Sequence, residues 1–285
     1  MITNPDTITR VLVGVDPSPH AARAADWAAA LAVDLGARLT VAHALDLPPA
    51  TQRPPDPTTY SENRHRAGER LLAVFTARIK QRHPSLAVGT ELSELDPARA
   101  LADYALDADL MVTGTRGHGG FTGMLLGSVS NKLAAHAPCP LVVVGTDGPA
   151  EVRTDLVVGV EQHEDAAPIE FAFDYAARLG LALRAVRVFE PVIGYSGYYG
   201  PTRQTIEQDI ENLIKPTRAR YPDVPVTVET WQGVPVPALA EISRGARLLV
   251  VGSHRRRGPL SFGPGHIVHG LLSHSDTPVA VIPIP

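Results

Sequence analysis

GTRGHGGFTGMLLGSVSNKLAAHAPCPLVVV, Gly114 to Val144, packs a glycine-rich turn, a helix start and an apolar strand into one run. The apolar segment Leu110-Met111-Val112-Thr113 enters it as a short buried strand. Glycines at 114, 117, 119, 120 and 123 then let backbone N–H groups point inward without interference from Cβ atoms. Ser128 and Ser130 open the next helix, with Ser128 expected as its cap, and Leu141 to Val144 form the following strand. Strand, glycine loop and helix N-terminus together make an anion cradle: unpaired N–H groups and the positive end of the helix dipole converge where a phosphate would sit.

Working outward, strands and helices alternate. Arg10 to Val15 is a compact apolar strand ending in Asp16-Pro17-Ser18, which supplies an acid, a turn and a helix cap. The helix from about His20 to Leu35 stops at Gly36, and Arg38 to Leu45 is the second strand. A proline-rich loop from Pro48 to Pro57 leads to an amphipathic helix over Ser61 to His83 and a third strand near Leu86 to Leu92. Asp96-Pro97 starts a helix that runs to Ala108, and Asp109 to Thr113 is the fourth strand. Such alternation implies parallel pairing with helices on both faces, a doubly wound α/β sheet of order 3-2-1-4-5. Ligands in such sheets sit where the strand order reverses, here between the first and fourth strands, so Asp16 and Gly114 are expected to face each other.

The second half copies the first. Asp155 to Val160 echoes the first strand at an offset of 145, and Gly252 to Ile282 aligns without gaps to the opening stretch at 138. The chain therefore reads as two Rossmann-like, five-stranded domains, residues 1–146 and 153–285, related by a pseudo-two-fold, with a linker near Thr146 to Arg153. In the copy, Glu161 replaces Asp16, Arg255 replaces Gly117 and His266 replaces Ser128, while Gly252 and Gly265 remain. A side chain at 255 narrows the cradle if the backbone there needs positive φ, and loss of the serine removes a hydroxyl; Arg255-Arg256-Arg257 read first as a solvated cationic loop and alternatively as a grip on a phosphate through side chains.

The spacing Gly114, two residues, Gly117, nine residues, Gly127-Ser128 resembles the nucleotide-binding signature of the ATP-binding branch of the universal stress protein family. The resemblance covers essentially the whole chain as a tandem of two family domains, complete in the first and degraded in the second. It implies ATP contacts at Asp16 and Ala44 for adenosine and at Gly114, Gly117, Gly127, Ser128, Val129 and Ser130 for phosphates. A second set, Glu161, Gly252, Arg255 and Gly265, would line the other half. Ala44 stands where the family usually has a bulkier aliphatic residue, which implies a looser hold on the purine. Members of the family are mostly regulatory, dimerise through the last strand and hydrolyse ATP slowly at most.

Other chemistries find little support. No G-x-x-x-x-G-K-[ST] occurs, and Gly117-His118-Gly119 is not completed to G-x-G-x-x-G because Thr122 occupies the third glycine position. No G-x-S-x-G elbow is present, and the glycine loop holds no acid or lysine to position water, with Arg116 and Lys132 the nearby cations. His254, His266, His269 and His274 lack an H-E-x-x-H arrangement, so no side-chain metal set is expected; Mg²⁺ would bridge phosphates and the Ser128 hydroxyl. With 26 basic and 30 acidic residues the formal charge is -4, interspersed, which argues against nucleic acid or an anionic membrane as partner. No apolar run reaches the ~18 residues of a membrane span and no leader is evident, so a cytoplasmic location is expected. Cys139, the single cysteine, reads as a small buried residue. The segment Ile193 to Pro201, with Tyr195, Tyr198 and Tyr199, reads first as an ordinary loop and alternatively as a lid or contact loop. Three functions remain open: an ATP-binding regulatory protein, a nucleotide-free paired-domain scaffold, and an ATP-using enzyme. The hydrophobic last strands, Pro140 to Val144 and Pro278 to Ile282, are expected to pair as an intramolecular pseudo-dimer or to support a homodimer.

Overall fold

A computed structural model describes residues 8–46, 56–117, 126–145, 155–161, 166–190, 192–194, 197–199, 201–254 and 265–284. The chain divides into two compact units, Thr7–Thr146 and Asp147–Pro285.

In the first unit the strands are β1 (Arg10–Gly14), β2 (Arg38–Ala44), β3 (Val88–Ser93), β4 (Leu110–Gly114) and β5 (Leu141–Val144). They run parallel in the order β5-β4-β1-β2-β3, which is the 3-2-1-4-5 arrangement expected. The central strands are apolar along their whole length because helices cover both faces, and Val13, Leu110, Met111 and Leu141 are fully buried. The helices are α1 (Pro19–Leu35), α2 (Pro57–Arg82), α3 (Pro97–Tyr104) and α4 (Ser128–His136). Helix α1 lies close to the sheet because its inner face is alanine: Ala24, Ala25, Ala28 and Ala32 are fully buried. Ser18 caps its start, accepting from the Ala21 N–H, and Gly36 ends it at φ 64°.

Helix α2 starts four residues before the expected position. Asp56 is its N-cap, accepting from the Thr59 N–H, and Pro57 takes the first helical position, where its missing N–H is harmless. Asp26 of α1 holds this helix down by accepting from Arg78 (Nε 2.8 Å, Nη2 2.6 Å) and Arg82 (Nη1 2.5 Å). Burial raises the cost of charging Asp26, yet the two guanidinium groups hold its carboxyl below the usual range. Helix α3 ends at Tyr104 and a single 3-10 turn, Ala105–Asp107, carries the chain on toward Ala108. At the amino ends of β1 and β4, Asp109 accepts from the Thr9 N–H and hydroxyl, the Arg10 N–H and the Arg10 guanidinium, locking the two strands in register.

The second unit repeats the plan. Its strands β6 (Asp155–Gly159), β7 (Ala182–Phe189), β10 (Val226–Gln232), β11 (Leu248–His254) and β12 (Val279–Ile284) run in the order β10-β7-β6-β11-β12. Helices α5 (Ala166–Leu179), α6 (Arg203–Arg220), α7 (Pro235–Ile242) and α8 (His266–His274) connect them. Gly180 closes α5 at φ 62°, as Gly36 closes α1. The tyrosine-rich segment forms a small antiparallel hairpin, β8 (Val192–Gly194) with β9 (Gly197–Tyr199), where the sequence suggested a loop. Arg184 of β7 reaches Asp155 (3.4 Å), Glu229 (2.8 Å) and the Ile242 carbonyl (3.1 Å), tying β6 and β10 to the end of α7. Among the described residues no helix is long and apolar enough to cross a membrane.

Candidate functional site

The order reversal in the first unit falls between β1 and β4, and the turns leaving these two strands meet there. Gly114 ends β4 so close to α1 that a Cβ on it would lie 2.8 Å from the His20 backbone. Two residues later Gly117 approaches the other turn: a Cβ there would lie 2.6 Å from Oδ2 of Asp16. Gly117 does not have positive φ, so the glycine is needed for space, not for a left-handed backbone.

Further contacts fix the two turns together. Oδ1 of Asp16 accepts from the Ser18 N–H at 3.0 Å, an Asx turn that orients the carboxylate. The Ser18 hydroxyl donates to the Arg116 carbonyl (3.3 Å) while accepting from the Ala21 N–H. The Thr115 hydroxyl lies 3.1 Å from Nδ1 of His20, and Arg23 Nη2 lies 2.9 Å from the same nitrogen. Since a guanidinium only donates, Nδ1 of His20 accepts and the ring proton sits on Nε2. Burial, then Arg23 and Arg116, push the His20 pKa below its ordinary value.

The far end of the glycine loop returns to the same place. The Gly127 N–H donates to the Thr115 carbonyl at 2.7 Å, and a Cβ on Gly127 would press on Arg116 Cα and Thr115 O at 3.3 Å. Gly127, not Ser128, is the N-cap of α4, and no side chain caps the helix. The first intrahelical bond runs from the Asn131 N–H to the Gly127 carbonyl, so the N–H groups of Ser128, Val129 and Ser130 precede the ladder and have no acceptor within the helix. Ser128 is exposed and Ser130 buried. The Ser130 hydroxyl donates to the Gly114 carbonyl at 2.7 Å, so this side chain bolts α4 to β4 and leaves its N–H as what it offers a ligand. A carboxylate on one side and a helix N-terminus with glycine-lined approach on the other form a cleft suited to a molecule that carries hydroxyls at one end and negative charge at the other.

Beside Asp16 lies the exit of β2. Ala44 ends that strand, half-buried, after His43, whose Nδ1 is 2.8 Å from the Val15 carbonyl. A carbonyl only accepts, so this histidine carries its proton on Nδ1, the opposite tautomer to His20. Burial lowers the His43 pKa more than the Val15 carbonyl and the Asp16 charge raise it. Gly68 of α2 packs below: a Cβ there would lie 2.8 Å from side-chain carbons of both Leu45 and Leu92 and 3.4 Å from His43 Cδ2.

The sequence pattern of the universal stress protein family matches residues 7–145 and again 153–283. The chain belongs to the universal stress protein family. Two relatives span nearly its full length. Universal stress protein Rv2005c of Mycobacterium tuberculosis is 31% identical over 286 residues, covering 95% of this chain and 96% of that protein. Universal stress protein Rv2623 of the same organism is 32% identical over 287 residues, covering 95% of each. A crystal structure of a universal stress protein from Archaeoglobus fulgidus superposes with a TM-score of 0.75 at 17% identity, covering 99% of this chain and 98% of that one, and so shares the fold.

Of the residues the sequence assigns to the first universal stress protein domain, Asp16, Gly114, Gly117, Gly127, Ser128, Val129 and Ser130 converge at the reversal point, with Ala44 at the neighbouring strand end. Sequence reasoning passed over Ser18, His20 and Thr115, which join the two turns, and gave no role to His43; a histidine immediately before Ala44 at a strand's carboxyl end was the available signal. Gly119, Gly120 and Gly123 lie outside the described residues.

The second domain differs where it matters. Glu161 follows Val160, whose N–H bonds to Val186 O as that of Val15 bonds to Ala42 O, so it holds the place of Asp16. Strand pairing, however, runs on: β11 continues to His254, and β12 to Ile284, with Ser253 opposite Pro283 and His254 opposite Ile284. The space a Cβ of Gly252 would take is met by Ile284 Cδ1 at 2.5 Å and Pro168 Cγ at 3.0 Å. Gly265 is the N-cap of α8 and His266 its exposed first residue. Arg255 to Arg257 lie outside the described residues. Among the described residues no three His, Cys, Asp or Glu side chains are grouped to hold a metal ion, and His274 Nδ1 is 2.9 Å from the Gly270 carbonyl.

Proposed function

We propose that this universal stress protein is an ATP-binding regulatory protein whose nucleotide site is in the first domain. The observation that carries the reading is the approach of Gly117 to the Asp16 carboxylate beside the uncapped N-terminus of α4. Asp16 would accept from ribose hydroxyls and Ala44 would lie against the purine. The N–H groups of Gly117, Ser128, Val129 and Ser130, with Gly114 and Gly127 allowing close approach, would receive the phosphates. The donor set fits a polyphosphate. Mg²⁺ would be held chiefly by the phosphates themselves, with the exposed Ser128 hydroxyl as the protein's contribution, and would neutralise part of their charge. Nothing in this set activates water, so the reading assigns slow hydrolysis at most and places function in occupancy-dependent shape or partner choice.

Mass spectrometry of ligand retained through purification, with calorimetric titration of Mg·ATP into the full-length chain, tests the reading; a stoichiometry near one is expected. No retained nucleotide and no heat of binding would leave the paired-domain scaffold as the better description. For the second domain the scaffold reading draws on Arg255 and His266 standing where the first domain has Gly117 and Ser128. The pairing of the two last strands rests on their apolar sequence, and a protease site inserted between residues 147 and 152 tests it. Fragments that co-elute after cleavage support the pairing; fragments that separate overturn it. Sedimentation of the uncut chain tests the homodimer.

A further inference from the structure

We infer that His43 selects the nucleoside in the first-domain site, its Nε2 accepting a hydrogen bond from an N–H or O–H of the ligand. The inference deepens the nucleotide reading and rests on it.

β1, β2 and β3 present a row of acceptors at their carboxyl ends. Most main-chain acceptors there are engaged: Ala42 O takes the Val15 N–H, Val15 O takes His43, Leu45 O takes Arg64 Nη2, and Ser93 O takes the Leu45 N–H. Beside Ala44 the second ring nitrogen of His43 is a further side-chain acceptor, close to the Asp16 carboxylate. The Nδ1–H bond to Val15 fixes which nitrogen that is: Nε2 carries the lone pair, and no described residue hydrogen-bonds it.

The ring is also held in place. Its Cδ2 edge rests over Gly68, where α2 comes so near β2 that a methyl would strike Leu45 and Leu92 at 2.8 Å. A glycine inside a helix costs about 1 kcal/mol relative to alanine, so its presence marks a close approach with structural purpose. Pinned between the Val15 carbonyl and α2, the imidazole cannot swing away from Asp16, whose charge it senses. Burial keeps it neutral near pH 7, so Nε2 stays an acceptor. Small Ala44 adds nothing polar, which leaves His43 as the group that distinguishes a ligand edge bearing a donor from one bearing an acceptor.

The donor has two sources, the 6-amine of the base or a ribose hydroxyl, and the test separates them. His43→Asn keeps an amide N–H near the position of Nδ1 and removes Nε2; His43→Gln puts an amide oxygen near the position of Nε2. Calorimetry on the full-length chain would use ATP, inosine triphosphate (carbonyl in place of the amine), 2′-deoxy-ATP and tripolyphosphate. His43→Asn is expected to weaken ATP by about 2- to 10-fold, the worth of one neutral hydrogen bond, with tripolyphosphate unchanged and His43→Gln recovering part of the loss. If the amine is the donor, the wild-type preference for ATP over inosine triphosphate disappears in His43→Asn; if the hydroxyl is, the preference over 2′-deoxy-ATP disappears. Both preferences surviving in His43→Asn, or tripolyphosphate weakening in parallel with ATP, would overturn the assignment. Wild-type protein that bound ATP no tighter than tripolyphosphate would overturn the nucleotide reading and this inference with it, a result distinct from either of the others.

Discussion

Replacing Gly117 with alanine adds one methyl, and the structure says where it goes: 2.6 Å from Asp16 Oδ2, closer than a real carbon and oxygen can approach. The backbone at 117 is compatible with alanine because its φ is not positive, so the conflict lies with the carboxylate alone. Displacing the carboxylate to relieve the conflict disturbs the Asx-turn bond to the Ser18 N–H that orients it. A nucleotide would then lose a charge-assisted hydrogen bond, about 1.5–3 kcal/mol, equivalent to about 10- to 150-fold in Kd. Because the methyl acts through Asp16, the loss should vanish when Asp16 is already absent. Mg·ATP titrated into wild type, Gly117→Ala, Asp16→Ala and the double variant forms a cycle that isolates the coupling. Gly117→Ala in the Asp16→Ala background is expected to change affinity by less than about 2-fold, within the error of additivity. An equal loss in both backgrounds would refute the reasoning, since Gly117 would then matter for the approach of phosphate to the backbone. The larger change Gly117→Arg is expected to abolish binding.

Acid should lower the stability of the protein over two pH ranges. His20 and His43 have folded pKa values below 6.5, so the unfolded state binds more protons and stability starts to fall as pH drops below about 6.5, levelling beneath the folded values. Asp26 and Asp109 lie below 3.8, so their contribution, complete above that value, is lost as pH falls through the folded pKa; melting curves from pH 8 to 3 would show both steps, and His20→Gln with His43→Gln should remove the first. Burial pushes the Cys139 thiol up to about 12, so iodoacetamide at pH 8 should label it only in denaturant, and labelling of native protein would contradict its packing. Gly68→Ala should lower stability by about 1–3 kcal/mol in urea titration even though alanine favours helix, and a stabilised variant would show that α2 does not press on β2 as described. Arg255→Gly with His266→Ser should raise ATP stoichiometry from one toward two if the backbone cradle is what matters; a stoichiometry that stays near one would show that residues 255 and 266 alone had not closed the second site.

Much of this architecture could be read from the residues because local signals agreed with the tertiary fold. Gly36 and Gly180 stop helices in the left-handed conformation, and Asp96-Pro97 starts one. The misses have physical causes. Asp56-Pro57 is the same start signal, but in a proline-rich run it read as the end of a loop. Helix α7 begins Pro235-Val236-Pro237, and two prolines in one first turn hid a helix that tolerates both because first-turn N–H groups need no intrahelical acceptor. At the site, the sequence showed that residue 117 has to be free of a Cβ but not what the Cβ would strike, since the Asp16 carboxylate comes from a turn far away in the chain. The structural role of the Ser130 hydroxyl was not legible, because its bond to the Gly114 carbonyl depends on how α4 crosses β4, which no local pattern encodes. His43 went unassigned for a related reason: its tautomer is set by a carbonyl 28 residues away.

The opposed tautomers of His20 and His43 give the first domain a pair of internal spectroscopic reporters. In a nitrogen-15 correlation spectrum the protonated and bare ring nitrogens resonate far apart, so the two side chains give mirror-image patterns. One reporter stands beside the exit of β2, the other beneath the end of β4. A ligand that engages the sugar-and-base side alone would shift the first, and an anion that engages the glycine turn alone would shift the second. The protein thus carries its own means of telling a nucleoside from a bare phosphate without any attached label.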